Sequence, residues 1–333
     1  MGVGTARQIL QLLKNERPEF MVHPEIWNTA GVFPSLPVSP RPYDPPPNDG
    51  LTIVKVEAFP TSFPVKEGVT LGIGRAVKRD CVIVKFTTEN GLVGWGESHH
   101  GRCFGAIGQL INTTLRQLVT GMNAANVVGV WTRIYLRQLA SHGMGTAAAL
   151  AMSGIDLALW DIRGKAVGWP VYKLLGGVSK AIPACAGGIS LGFQPAQELV
   201  AEAQELVAQG YRILKLRFGD TVKRDVERLD AIRVAFGDTI GIMVDANTGY
   251  RVEDARQVMP ELVSNHVIWL EEPLPPQDYR SYELAGRFGG IPLAAGENHL
   301  ARYEFNRVIE YVRQRHQYGC QHLSSAGPET PVF

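Results

Sequence analysis

Cysteine is scarce in this sequence. Only four of the 333 residues are cysteines, at Cys81, Cys103, Cys185 and Cys320, and no two of them form a Cys-x-x-Cys pair. Disulfide frameworks and zinc knuckles need regularly or closely spaced pairs, so this spacing argues against both. We expect the cysteines to be reduced thiols.

Charge imbalance and long apolar runs are also absent. The chain has 33 basic and 32 acidic side chains, for a net charge of +1. The sequence has neither an excess nor a local patch of positive charge that could bind a phosphate backbone, so no nucleic-acid partner is predicted. No apolar run reaches about 18 residues and no signal segment opens the chain, so we predict no membrane partner and a cytoplasmic location.

The chain divides into three regions of different composition. Residues 1–50 are predicted to form an N-terminal extension and a proline-rich linker, because seven prolines fall between positions 34 and 47. Residues 51–178 show alternating apolar runs around Asn90-Gly91, a strong hairpin signal, followed by helical periodicity over 106–118 and 146–166. This second region is predicted to be an α+β module.

Residues 179–333 repeat a strand-then-helix pattern. Apolar strands are predicted at 183–187, 212–218, 240–244, 267–270 and 292–295, each followed by a helix. Such repetition indicates parallel strands with crossover helices, in either a (β/α) barrel or an open doubly wound sheet. Both architectures place their chemistry at the carboxyl ends of the strands.

Three carboxylates stand at consecutive strand ends. Asp245, Glu271 and Glu297 are each separated by 26 residues, which is one strand-helix unit. Acids this close would repel one another, so they need a cation, and oxygen ligands favour a hard ion such as Mg²⁺. The alternative is that each acid only caps the helix that follows it.

The motifs around these acids resemble those of a known family. Val244–Asn247, Trp269–Pro273 and Gly296–Asn298 look like the metal triad of the enolase superfamily, in its mandelate racemase and muconate lactonizing enzyme subgroup. Upstream, Val93–Glu97 and Gly154–Asp161 resemble the hairpin end and the last helix of that family's capping domain. The resemblance implies an α/β fold in which an N-terminal α+β capping domain precedes a TIM-type (β/α) barrel, incomplete here at about five units.

The resemblance also implies a chemistry. Asp245, Glu271 and Glu297 would hold Mg²⁺, which neutralises charge as a substrate loses the proton next to its carboxylate. The family's base is commonly the second lysine of a Lys-x-Lys motif, but this chain has Lys215 followed by Arg217. Arginine stays protonated and is better suited to clamp a carboxylate, so Lys215 is the candidate base. The alternative is that both cations only offset the acidic triad.

Substrate contacts are predicted at three further residues. Asn247 follows Asp245 by two positions, His299 follows the third acid, and His99 lies in a capping-domain loop. Solvated or purely supporting roles are the alternatives for both histidines. The resemblance implies a small-molecule carboxylate as partner, most readily a sugar acid (aldonate or aldarate) that is dehydrated, and assembly into a homo-oligomer if the chain folds. Racemisation or epimerisation of a 2-hydroxy or amino acid is the alternative reaction.

The tail from about residue 314 departs from the family pattern. It has no barrel periodicity and does not contain the Asp-His pair that the subgroup carries on its sixth and seventh strands. Cys320–His322 and Ala326–Glu329, read one base later, can encode Val-Asn-Ile and Pro-Asp-Leu, which resemble the sixth strand. We therefore expect a truncated or frameshifted chain, and a catalytically inactive homologue is the alternative of a different class.

Overall fold

The computed structural model describes residues 49–140, 143, 145–187 and 190–313. The predicted extension, up to residue 48, and the predicted atypical tail from 314 lie outside the described residues. Within the described part of the chain, no helix is both long and apolar enough to cross a bilayer.

The capping domain begins with a three-stranded antiparallel sheet. Its strands, in spatial order, are β1 (Ile53–Leu71), β2 (Gly74–Thr88) and β3 (Val93–His99). The Asn90-Gly91 hairpin predicted from the sequence is confirmed: Asn90 Oδ1 accepts hydrogen bonds from Thr88 Oγ1 at 2.6 Å and from Leu92 N at 3.1 Å. The first two strands are longer than their alternating apolar cores: beyond those cores, residues 59–64 of β1 are exposed and residues 74–81 of β2 are exposed or half-buried.

Helices pack against one face of this sheet. They are α1 (Phe104–Leu110), α2 (Arg116–Val119), α3 (Val127–Ile134), α4 (Thr146–Val167) and α5 (Val171–Leu174), with π-helical turns at Ile111–Leu115 and Tyr135–Leu139. Asn112 pairs through its amide with both the backbone N–H and the carbonyl of Ala58, each at 2.8 Å. This side chain therefore satisfies part of the free edge of β1.

Alternate glycines allow α4 to lie directly on β3. Gly94 and Gly96 share one face of the strand, and a Cβ on Gly96 would overlap the Gly154 carbonyl oxygen of the helix. A Cβ on Gly94 would overlap the Ala158 carbonyl oxygen in the same way. The Gly-x-Gly spacing of Val93–Glu97 thus serves a close strand-helix crossing rather than a turn.

Gly96→Ala is expected to destabilise the capping domain by at least about 2 kcal/mol, because the added methyl meets helix backbone that cannot move aside. Urea unfolding followed by circular dichroism measures the change. Gly105→Ala is the control: that position lies in α1 with nothing within 4 Å, so alanine should leave stability unchanged or raise it by up to about 1 kcal/mol. Equal stabilities of the two variants would contradict the packing explanation.

The second half is a parallel sheet with crossover helices. Its four strands, in both sequence and spatial order, are β4 (Ile213–Arg217), β5 (Gly241–Asp245), β6 (Val267–Glu271) and β7 (Leu293–Ala294). The helices are α6 (Ala196–Ala208), α7 (Val222–Phe236), α8 (Val252–Ser264), α9 (Tyr279–Ala285) and α10 (Ala301–Arg313). Four of the predicted strands and the helices after them are confirmed.

The strand predicted over residues 183–187 is wrong in extent. Only Ala186 forms a bridge there, parallel to Leu214, with Ala186 N donating to Ile213 O at 2.8 Å. Pro183 has no N–H to donate, and residues 181–185 are exposed, so a ladder does not extend along the segment. The five predicted units therefore reduce, among the described residues, to four strands and a single bridge.

Strand alternation separates the two faces of this sheet. Leu214, Leu216, Ile242 and Val244 are buried in the apolar core together with residues of the crossover helices. The register pairs Lys215 with Met243, Arg217 with Asp245, and Asp245 with Glu271. The charged residues therefore lie on the opposite face, at the common carboxyl edge of the strands.

Candidate active site

A buried charge cluster lies at this edge. Lys215 Nζ is 3.1 Å from Asp245 Oδ2 and 3.0 Å from Glu271 Oε1, and Arg217 Nη1 also pairs with Asp245 Oδ2. The exposed fractions of these four side chains are at most 17%. Two cations and two anions thus compensate one another away from bulk water, where each pairing is stronger than on the surface.

Neighbouring polar groups orient the two carboxylates. Asn247 N donates to Asp245 Oδ1 at 2.9 Å, and Trp269 Nε1 donates to Glu271 Oε2 at 3.1 Å. Asn247 is buried, has a φ of 43°, and its Oδ1 accepts a long hydrogen bond of 3.4 Å from Arg217 Nη1. The structure therefore places the predicted residue Asn247 inside the cluster, where it supports Asp245 and Arg217.

Two more glutamates extend the negative charge. Partial desolvation, with the charges of Asp245 and Glu271, raises the pKa of Glu297 against the opposing effect of Lys215 and Arg217. Glu272 is almost fully buried and accepts hydrogen bonds from Asn298 N at 3.3 Å and Asn298 Nδ2 at 2.6 Å. Burial, with the nearby Glu297, raises the pKa of Glu272 to about 7.

Sequence reasoning did not identify Glu272 as a site residue. The available signal was its place directly after Glu271 in the Glu-Glu-Pro motif at a strand end. Its φ of 37° turns the chain there, so both adjacent glutamates are buried at the edge of the sheet. A buried carboxyl group that titrates near neutrality is a frequent feature of functional sites.

The acids match Mg²⁺ in donor chemistry. Three carboxylates lie at one edge, and the pKa of Glu297 is raised by burial and by the charges of Asp245 and Glu271, whose repulsion a divalent cation would relieve. In the arrangement seen, however, no group of three or more His, Cys, Asp or Glu among the described residues is positioned to hold a metal ion. Asp245 and Glu271 point to Lys215 and Arg217 instead. The triad Asp245, Glu271 and Glu297 therefore stays a prediction.

The electrostatic state of Lys215 differs from the expectation. Burial alone would lower its pKa, as would Arg217, but Asp245 and Glu271 outweigh both and the net pKa is raised. Lys215 is thus a protonated ion-pair partner in this arrangement. These contacts agree with the charge-offset alternative, whereas its role as a base stays a prediction.

The two predicted histidines lie apart from the ion pairs. His299 is buried, its Nε2 lies 3.0 Å from the Pro276 carbonyl oxygen, and its ring packs against Tyr279 and Phe305. His99 lies at the end of β3, where its Nδ1 accepts a hydrogen bond from Gly101 N and its ring stacks on His100. Substrate contact by either histidine stays a prediction.

The tip of the first hairpin reaches the same edge, which sequence reasoning missed. A Cβ on Gly72 would lie 2.7 Å from the Ala246 carbonyl oxygen and 3.3 Å from that of Phe218. Only glycine permits so close an approach of two backbones. The signal in the sequence was Gly72-Ile73-Gly74, which forms the turn between β1 and β2.

A cavity of about 350 Å³ opens beside Lys215. Its other lining residues include Cys185, Ser190 and Tyr211. A larger groove of about 790 Å³ lies in the capping domain along residues 54–59, and none of the charged cluster lines it. Of these two cavities, the smaller has one residue of the charged cluster, Lys215, in its lining.

Glu272→Gln is expected to flatten the pH dependence of stability in the absence of divalent cations. Since the pKa of Glu272 is raised from 4.5 to about 7, the folded chain keeps a proton that the unfolded chain loses in that window. The free energy of unfolding therefore falls as pH rises from about 4.5 to about 7, by on the order of 3 kcal/mol from this group.

Urea titrations across that window, in chelator, measure the effect. The difference between Glu272→Gln and the unsubstituted chain should grow in favour of the variant as pH rises. Glu283→Gln, on the surface of α9, should follow the unsubstituted chain. A constant difference between Glu272→Gln and the unsubstituted chain across the window would contradict the burial argument.

Comparison with known proteins places both halves of the chain in one family. Residues 53–176 match the mandelate racemase / muconate lactonizing enzyme N-terminal domain. Residues 198–312 match the enolase C-terminal domain-like family. The two matches follow one another in the order that the sequence motifs predict.

Named relatives and solved structures agree with this assignment. A 3,6-anhydro-alpha-L-galactonate cycloisomerase of Streptomyces coelicolor is 31% identical over 71% of this chain and 65% of its own length. An arabinonate dehydratase of Saccharolobus solfataricus is 32% identical over 69% of this chain and 62% of its own length. The chain thus spans less than two thirds of the length of these curated relatives.

A crystal structure of an enolase superfamily member from Polaromonas sp. JS666 superposes with a TM-score of 0.76 at 48% identity, over 78% of this chain and 69% of that one. A racemase from Streptomyces coelicolor, solved with bound magnesium, gives 0.72 at 30% identity, over 78% and 73%. The parallel sheet is therefore the barrel type rather than an open doubly wound one. The chain belongs to the enolase superfamily, in its mandelate racemase and muconate lactonizing enzyme group.

Proposed function

We propose that this chain carries out Mg²⁺-dependent abstraction of the proton next to a carboxylate, and that the reaction is dehydration of a sugar acid, an aldonate or aldarate. The observation that carries the proposal is the grouping of Lys215, Arg217, Asp245 and Glu271 at the carboxyl ends of adjacent parallel strands. Relatives named as arabinonate and D-galactonate dehydratases support the substrate class.

In this proposal Asp245, Glu271 and Glu297 hold the cation. Mg²⁺, when bound, supplies positive charge that stabilises a substrate carboxylate as the adjacent carbon loses its proton. Arg217 is permanently protonated, so it holds a carboxylate or a developing oxyanion and does not accept the proton.

In the proposed dehydration Lys215 Nζ accepts the proton next to the carboxylate, the hydroxyl group on the neighbouring carbon leaves with a proton as water, and the resulting enol tautomerises to the 2-keto-3-deoxy acid. Lys215 must be neutral to accept that proton, and the two carboxylates are what keep it protonated. When Asp245 and Glu271 hold the cation, their charges no longer keep Lys215 protonated. Burial and the charge of Arg217 then dominate, and both lower the pKa of Lys215. The ion pairs of Lys215 in the metal-free arrangement are thus compatible with Lys215 acting as a base when the metal ion is bound.

Racemisation or epimerisation is the second candidate. It is favoured by the structural likeness to a racemase with bound magnesium and by a relative named N-succinyl-L-Arg/Lys racemase, 25% identical. Two opposed bases are needed for inversion, and Arg217 is a poor second base. Dehydration is therefore preferred, with assembly of the chain into a homo-oligomer as a further proposal.

The test is proton exchange in D₂O, followed by NMR, over a panel of aldonates and aldarates with Mg²⁺ or with chelator. A dehydratase exchanges or loses the proton next to the carboxylate and releases a 2-keto-3-deoxy acid, only with Mg²⁺. Exchange that gives a product inverted in configuration at the carbon next to the carboxylate, without release of a keto acid, indicates an epimerase. No exchange on any acid, by folded protein that binds Mg²⁺, contradicts the proposal and indicates a catalytically inactive homologue.

A further inference from the structure

Asp225, in the first turn of α7, is a buried side chain that bonds to loops near the site. It is fully buried. Its Oδ2 accepts hydrogen bonds from Gly219 N at 3.0 Å and from Tyr250 Oη at 2.5 Å, and Arg228 pairs with its Oδ1. A buried carboxylate with three donors is well compensated, and its loss removes a buried partner from each of the three donors.

These partners come from different loops of the barrel edge. Gly219 lies in the loop after β4, two residues after Arg217. Tyr250 lies in the loop after β5, three residues after Asn247. Tyr250 is itself buried, and its N donates to the Pro273 carbonyl oxygen at 3.0 Å, just after β6. One carboxylate therefore ties the loops that follow β4 and β5, and Tyr250 ties them to the loop after β6.

Arg228 extends the connection toward the capping domain. Its Nη1 lies 3.3 Å from Asp220 Oδ2, and its guanidinium lies 4.9 Å from the centre of the Phe193 ring. Phe193 N donates to the Thr70 carbonyl oxygen at 2.9 Å, near the tip of the β1–β2 hairpin. The hairpin tip that covers the strand ends is thus linked to the same buried group.

We propose that Asp225 and Tyr250 are positioning residues, which fix the loops after β4 and β5 so that Arg217, Asp245 and Asn247 keep their mutual geometry. Neither residue contacts the ion pairs of the site, which join Lys215 and Arg217 to Asp245 and Glu271. Asp225 and Tyr250 act through the backbone of the two loops. These loop backbones are in close contact, since Gly219 packs against Gly249 and a Cβ on Gly219 would overlap the Ala246 carbonyl oxygen. The catalytic effect of Asp225 and Tyr250 rests on the proposed function, whereas their effect on loop order does not.

Tyr250→Phe removes one hydroxyl and leaves the ring in place. Tyr282→Phe is the matched control, since Tyr282 is also buried and its Oη donates to the Leu274 carbonyl oxygen at 2.7 Å, without bonding the loops after β4 and β5. Both variants should lower the urea midpoint by similar amounts. Amide exchange of Gly219 and Asn247 should become about tenfold faster in Tyr250→Phe and stay unchanged in Tyr282→Phe.

Kinetics give the second readout. In Tyr250→Phe the kcat for proton exchange should fall about 10- to 100-fold with KM little changed, because substrate still binds but reacting groups are misplaced. Tyr282→Phe should keep the kcat of the unsubstituted chain.

Amide exchange in the loops tests the positioning role separately from the proposed function. If the unsubstituted chain catalyses no exchange, the proposed function fails, and amide exchange still tests the positioning role. In the unsubstituted chain itself, the Gly219 amide should be protected by Asp225, so a fast-exchanging Gly219 overturns the inference even if no variant folds. Equal amide exchange in the two Tyr→Phe variants also overturns it.

Discussion

Lys215→Met is expected to reduce the rate of proton exchange by about 100- to 10,000-fold, the usual contribution of a positioned general base. Methionine keeps an unbranched side chain that is one atom shorter, and it cannot accept a proton. It also removes a cation that lies within 3.1 Å of both Asp245 and Glu271. Exchange followed by NMR in D₂O, at saturating Mg²⁺ and substrate, measures the loss.

Two further measurements separate catalysis from charge balance in this variant. Asp245 keeps Arg217 and Glu271 keeps Trp269, so the folded structure should survive. Mg²⁺ affinity should stay equal or increase, because a competing cation has been removed from the carboxylates. Lys165→Met, which breaks an exposed pair with Asp161 in the capping domain, is the control and should exchange normally. Lys215→Met with an undiminished exchange rate would show that Lys215 only offsets charge.

Asp245→Asn is expected to weaken Mg²⁺ binding by at least about 100-fold, since even residues that only support metal ligands change affinity by 10- to 100-fold. Asp245 is fully buried and contacts Lys215, Arg217 and the Asn247 backbone. An amide has no charge to offer either the two cations or a metal ion. Isothermal titration calorimetry with MgCl₂ measures the affinity.

The same substitution carries a cost in stability. Removing one partner of a buried ion pair typically costs about 3–5 kcal/mol, because the remaining charges stay buried. Calorimetry must therefore be run where the variant is folded, as shown by circular dichroism. Asp230→Asn, on the exposed side of α7, is the control and should bind Mg²⁺ normally. Equal affinities for the two variants would remove Asp245 from the metal site.

Local pattern was sufficient to predict the elements that carry the site. Alternation over Ile213–Arg217 and Gly241–Asp245 predicts strands, and crossover helices predict that they are parallel. Because the carboxyl ends of neighbouring parallel strands lie at one edge of a sheet, Arg217, Asp245 and Glu271 were expected there, and they are found there. The failure at residues 183–187 has a local cause, since Pro183 has no N–H to donate and residues 183–185 are exposed despite their apolar composition.

Long-range contacts decided the rest. The raised pKa of Lys215 is the balance of burial and Arg217, which lower it, against Asp245 and Glu271, which raise it and are distant in sequence, and no spacing rule gives its sign. The pKa of Glu272 rises to about 7 because packing buries its carboxyl group and Glu297 meets it from the next strand end, against hydrogen bonds from Asn298 that lower this pKa.

By itself, the sequence determined the family, the order of the two halves and the identity of the charged residues at the strand ends, because these follow from motifs and from periodicity along the chain. Only the tertiary structure decided how those charges pair, that the hairpin tip at Gly72 covers them, and that Asp225 joins the surrounding loops. The physical reason is that strength of pairing depends on distances and burial between remote segments. Those quantities exist only once the chain has packed.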